Sequence, residues 1–180
     1  MVTLDPAISM MVMLGFVALF ASAAYHKLRE PRVFSAALAD YRLLPDSVAP
    51  IAAVILAIAE LGIGLALLWN QTRASAAVTG AALLAVYAAA IGVNLFRGRH
   101  ELDCGCGLEG RPINAWMVVR NLVLSAVLLT LCLPVAARAL SLGDFATIAA
   151  GFGVTALLYI SADLLLSRPE LREPFSPEQA

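Results

Sequence analysis

Five long apolar runs separated by short polar breaks set the pattern of this chain. The first, residues 7–25, carries no charged side chain. About 19 residues of helix at ~1.5 Å rise come near the ~30 Å hydrocarbon thickness of a bilayer. The second run, residues 48–69, is interrupted only by Glu60. The turn Asn70-Gln71-Thr72-Arg73 then sends a third run, residues 74–96, back antiparallel as a helical hairpin. A fourth, residues 115–137, opens on Pro112 in its first turn or on Asn114 as N-cap. The fifth, residues 145–166, follows the break at Ser141-Leu142-Gly143-Asp144. The tail, residues 167–180, with Pro169, Pro174 and Pro177, reads as disordered.

Between the first two runs the pattern changes. Val33, Phe34, Ala37, Leu38 and Tyr41 recur at helical spacing among charged residues, which predicts a short amphipathic helix between Pro31 and Pro45 dipping its apolar face into the membrane interface. Small residues such as Gly62, Gly64, Gly80, Ser125 and Gly151 allow the spans to pack closely. Trp69 and Trp116 fall at span ends, where aromatic anchors belong. The expected fold is an all-α integral membrane protein of five transmembrane helices, a single membrane domain over residues 1–166. Its first four spans form a bundle closed at one end by the surface helix.

Composition agrees: 61% of the 180 residues are hydrophobic and 14% charged, against about a quarter charged in an ordinary soluble domain. A net charge of −1 lacks the clustered basic excess of a nucleic-acid surface. Three cysteines are too few for a secreted disulfide scaffold. A cleaved signal peptide is the competing reading of the first run, since Ala21-Ser22-Ala23 mimics a cleavage site, but the residues before the run include Asp5 and no Lys or Arg.

Five spans put the chain ends on opposite sides. Lys27, Arg29, Arg32, Arg42, Arg97, Arg99, Arg111, Arg168 and Arg172 fall on one side, and Arg73 and Arg138 on the other. The positive-inside rule turns the richer side to the cytoplasm.

That side also holds the chemistry. Residues 94–114 form the one polar interruption dense in reactive groups, with Cys104 and Cys106 one residue apart between glycines and His100, Asp103, Arg97, Arg99 and Arg111 nearby. A Cys-Gly-Cys pair can oxidise to a disulfide of strained geometry, and such a disulfide is easily reduced. Neighbouring guanidinium groups and a protonated His100 favour the attacking thiolate, while Asp103 opposes it. Two other readings of the pair stand beside this one: a metal site with His100 as third ligand, for which the spacing is unusual, and inert thiols. Cys132, about 25 Å along the fourth helix from the loop, reads as a packing residue. Glu60 inside a span is expected to face the bundle interior with a partner such as Asn94, Arg120 or Asn121, or to stay protonated. His26 and His100 share the loop side, where they could act together as proton carriers.

The order Lys27-Leu28-Arg29-Glu30-Pro31, Phe34, Tyr41-Arg42-Leu43-Leu44-Pro45, Glu60-Leu61-Gly62, Asn94, Arg97-Gly98, Asp103-Cys104-Gly105-Cys106-Gly107 and Arg120-Asn121 resembles the MauE group of the MauE/DoxX redox-associated membrane proteins. The resemblance implies a membrane thiol–disulfide oxidoreductase or maturation factor in which Cys104 and Cys106 cycle between dithiol and disulfide. It implies a thioredoxin-like partner and an exported, disulfide-containing client, the methylamine dehydrogenase small subunit, which sets the cysteine loop outside the cytoplasm rather than within. Similarity to the membrane thiol oxidoreductases that reduce quinones suggests a quinone as electron acceptor. The site residues expected are therefore Cys104, Cys106, His100, Asp103 and Glu60, with no resident metal. A non-catalytic scaffold or chaperone for enzyme maturation and a small-solute transporter are the alternative functions.

Overall fold

A computed structural model describes residues 3–102 and 112–167. Helix α1 (Pro6–Arg29) starts where Asp5 caps it, the carboxylate accepting from the Ala7 amide at 2.8 Å, with Pro6 in the first turn. It ends at Glu30 because Pro31 follows, and a residue before proline is pushed out of the helical region. Pro31 opens α2 (Pro31–Asp40), which runs into a buried Tyr41. After a turn come α3 (Ala49–Ala66), α4 (Arg73–Phe96), α5 (Ala115–Leu129) with a 3-10 turn at Thr130–Cys132, and α6 (Leu142–Ser167). Five helices are long and apolar enough to cross a membrane, and no strand occurs among the described residues. The protein is a multi-pass membrane protein.

The spans pair α1 with α3 and α4 with α5, and the two pairs meet through α3 and α4. Their shared core is built from Phe16, Phe20, Ile63, Leu67, Leu84 and Leu128 around small residues of α4. Gly80 makes the tightest approach: a Cβ there would stand 2.8 Å from Leu128 Cδ2 and 3.1 Å from both Ile63 Cγ2 and Phe20 Cζ. Ser125 adds a bond between helices, its hydroxyl donating to the Ala81 carbonyl at 2.8 Å. Helix α6 lies along α1, barely touches α5, and turns most of its side chains outward.

Several boundaries differ from the sequence expectation. The first helix continues four residues beyond Tyr25, to Arg29, because nothing from His26 to Arg29 breaks a helix before Pro31. The fourth span stops at Cys132 rather than residue 137, since Pro134 cannot continue it. Residues 134–136 instead pair with Leu4, whose amide donates to the Pro134 carbonyl at 2.8 Å while its carbonyl accepts from Ala136 at 2.9 Å. Cys132, expected to be packed, is exposed at this end of the bundle. The expected helix after the first span is present, but its inner face meets the bundle rather than lipid: α2 packs on α3, and Tyr41 joins Ile91, Ile113 and Met117. Phe34 of α2 covers the Lys27 ammonium, its ring centroid 5.0 Å from Nζ.

Candidate functional site: a buried charge cluster and the cavity beside it

Met13, Phe16, Phe20, Ala24 and Lys27 are buried on one stripe of α1 at helical spacing, so the longer helix carries Lys27 into the bundle. Glu60 reaches it from α3. The Lys27 ammonium donates to Glu60 Oε1 at 2.6 Å and Oε2 at 2.7 Å, and the Tyr87 hydroxyl of α4 donates to Oε1 at 2.8 Å. Lys27 Nζ also lies 5.0 Å from the Phe34 ring centroid of α2 and 5.4 Å from that of Tyr87. Glu60 is 1% exposed and Lys27 8%. At such burial a charge persists only when paired and hydrogen-bonded, and three helices supply the pairing while the fourth covers it. Glu60 thus faces inward as expected, with partners other than those expected. Asn94 instead donates to the Ala90 carbonyl and accepts from Arg99, Asn121 donates to the Met117 carbonyl, and Arg120 pairs with Asp163 of α6. By composition Lys27 falls outside the first apolar run, and Tyr87 sits within the third without a polar neighbour to mark it. The stripe on α1 was the available signal for Lys27; a lone tyrosine in an apolar helix gives none.

Beside this cluster lies a cavity of about 370 Å³ walled by all five spans. Its polar lining comprises Ser22, His26, Lys27, Glu60, Tyr87, Arg120, Asn121, Tyr159 and Asp163, and the rest is apolar, including Phe20, Leu84 and Leu124. A smaller cavity of about 80 Å³ lies towards α2, between Lys27, Phe34, Tyr41 and Asn121.

The loop end is shaped by backbone geometry. Helix α4 terminates with Gly98 at φ +73, its amide donating to Leu95 and that of Arg99 to Asn94. This paired closure uses the left-handed conformation that glycine adopts without penalty. The Arg99 guanidinium then bonds the Asn94 side chain at 3.1 Å. Leu102 and Ile113 form a stem, the Ile113 amide donating to the Leu102 carbonyl at 2.9 Å, and both pack on the Tyr41, Ile91 and Met117 cluster. Asn114 caps α5, accepting from Met117 N at 3.2 Å, so the cap rather than Pro112 starts that helix. Asp103, Cys104, Cys106 and Arg111 lie outside the described residues. His100 is exposed in the turn after α4; His26, also exposed, lines the cavity and makes an edge-on contact with Tyr25. The two histidines have different surroundings.

A family model described as Methylamine utilisation protein MauE matches residues 5–134. The chain belongs to the MauE family. Curated MauE proteins agree with it along most of their length: that of Paracoccus denitrificans is 36% identical over 166 residues, 90% of this chain and 89% of that protein. The Paracoccus versutus protein is 39% identical over 168 residues, covering 92% and 90%. The Methylophilus methylotrophus protein is 34% identical over 171 residues, covering 92% and 89%. No solved structure matches the chain. The MauE match takes in α1 to α5, and with them Lys27, Glu60, Tyr87 and the cysteine segment, while α6 with Asp163 lies beyond it.

Proposed function

We propose that this MauE-family protein forms disulfides in an exported client by thiol–disulfide exchange through Cys104 and Cys106. A client thiolate attacks the loop disulfide and releases one loop thiolate. The second client thiolate then attacks the mixed disulfide, leaving an oxidised client and a loop dithiol. The loop returns to its disulfide by giving two electrons and two protons to an acceptor, either a thioredoxin-like disulfide or a membrane quinone. The observation that carries the reading is the stem beneath the segment. The hydrogen bond from Ile113 to Leu102 over a packed cluster holds together, at the rim of the bundle, the two residues between which the sequence carries its Cys-Gly-Cys pair. Membership of a family named for methylamine utilisation supports the methylamine dehydrogenase small subunit as client. His100 and Arg99, on the same rim, favour the thiolate form in this scheme.

In a strain that depends on methylamine and lacks its own copy, Cys104→Ser or Cys106→Ser alone is expected to abolish growth and leave the client short of disulfides. Undiminished client maturation by the double Cys→Ser variant would instead make the protein a scaffold. A second reading is favoured by the cavity and its paired charges, which suit carriage of a small solute. Under that reading Glu60→Gln stops uptake while the cysteine variants leave it intact.

A further inference from the structure

The cavity is more than packing space around an ion pair. Its volume of about 370 Å³ falls within the range of small-molecule sites, ~300–1,000 Å³. Its formal charges cancel in pairs, Lys27 with Glu60 and Arg120 with Asp163, which gives a free ion no net attraction. Hydrogen-bond donors remain. Lys27 Nζ directs two of its three N–H groups at Glu60, and Asn121 uses one amide N–H on the Met117 carbonyl. The apolar part of the lining includes Leu19, Phe20, Leu84 and Leu124. A donor-bearing end and an apolar remainder match a neutral head with acceptor oxygens on an apolar body.

The route in is equally specific. Helix α6 forms one wall of the cavity yet barely touches α5, and the Arg120–Asp163 pair joins the two helices across that side. Ile160 and Leu164 of the same wall are more than a third exposed on the outer surface. In a membrane-spanning bundle that surface faces hydrocarbon, so the seam between α5 and α6 opens to the bilayer.

We infer that this cavity binds the carbonyl-bearing head of a neutral membrane amphiphile, which enters between α5 and α6 and accepts hydrogen bonds from Lys27 and Asn121. The carbonyls can belong to a quinone ring or to the ester groups of a glycerolipid; the same donors recognise both. The inference rests on the spans alone and is independent of the cysteine chemistry.

The test is native mass spectrometry of the full chain released from nanodiscs of pure phosphatidylcholine, with and without a short-tailed ubiquinone analogue. The expected result is one analogue retained per chain. Leu124→Trp and Ala23→Phe add bulk at lining residues of two different helices and replace no member of either ion pair, and each is expected to weaken retention roughly tenfold or more. Two variants from separate helices keep the test decisive if one fails to fold. The Cys104→Ser/Cys106→Ser double variant is expected to bind as wild type, which separates this inference from the proposed activity. Retention of a single phosphatidylcholine in place of the analogue, lost in both filled variants, assigns the site to a glycerolipid. Retention of neither, or retention unchanged by both filled variants, overturns the inference.

Discussion

Lys27, Glu60 and Tyr87 show how a membrane bundle carries charge at low exposure. Removing one member of a buried pair leaves the other unpaired, which typically costs about 3–5 kcal/mol, whereas replacing both by apolar groups is often neutral. Glu60→Met and Lys27→Met are therefore each expected to lower thermal stability in micelles sharply, and Lys27→Met/Glu60→Met to recover most of the loss. Equal additive losses in that double-mutant cycle would show that the two residues act independently. Tyr87→Phe removes one hydrogen bond to a charged group and is expected to cost roughly 1.5–3 kcal/mol. At the far end of the bundle, Arg138 makes two-pronged contacts with both Asp5 and Asp144, at 2.8–2.9 Å. The Arg138 guanidinium first, and the Ala7 amide second, hold the Asp5 carboxyl below its ordinary range. A carboxyl lowered in the folded state adds stability that is present above the unfolded value, near pH ~3.9, and is lost as pH falls through the lowered one. Asp5→Asn is thus expected to destabilise the protein at neutral pH, with the difference from wild type shrinking in acid. A difference constant from pH 7 down to strong acid would contradict the pairing.

At the scale of elements, the apolar runs announced all five spans, because a span must be both long and apolar and nothing else among the described residues is. Their ends were less legible. The run ends at Tyr25 by composition, but the helix obeys backbone chemistry and continues to Arg29, just short of Pro31, and that single extra turn is what brings Lys27 to Glu60. The reverse happens at the fourth span, where apolar Leu133, Val135 and Ala136 look like helix but Pro134 ends it, leaving a segment that pairs with Leu4. The inward turn of Glu60 followed from the cost of a charge in hydrocarbon. Its partners did not, because pairing depends on how α1, α3 and α4 rotate against one another. Gly80 is the point where that rotation is most constrained. Gly80→Val is expected to force Leu128, Ile63 and Phe20 apart and to cost about 1–3 kcal/mol, read as a lower melting temperature. Gly62→Val, where the added carbon meets nothing within 4 Å, is the matched control and is expected to be mild.

For the whole molecule, the helix order brings the ends of α1 and α4, the start of α5 and the stem of the cysteine segment to one face, and Cys132 with the Asp5–Arg138 contacts to the other. Lys27 drops out of the charge asymmetry because its ammonium is buried against Glu60, yet Arg29, Arg32, Arg42 and Arg97 still outnumber Arg73 and Arg138 and favour a cytoplasmic loop. An exported client asks for the opposite side. Cys132, exposed across the membrane from the loop, serves as an internal reference for either orientation. The most direct test of the redox account labels intact cells with a membrane-impermeant thiol reagent, with and without prior reduction, comparing wild type, Cys132→Ser and Cys104→Ser/Cys106→Ser. If the loop cysteines cycle through a disulfide facing the exported side, they take up label only after reduction, and Cys132 stays unlabelled. Loop cysteines that label fully without reduction, in oxidising medium, would contradict the account.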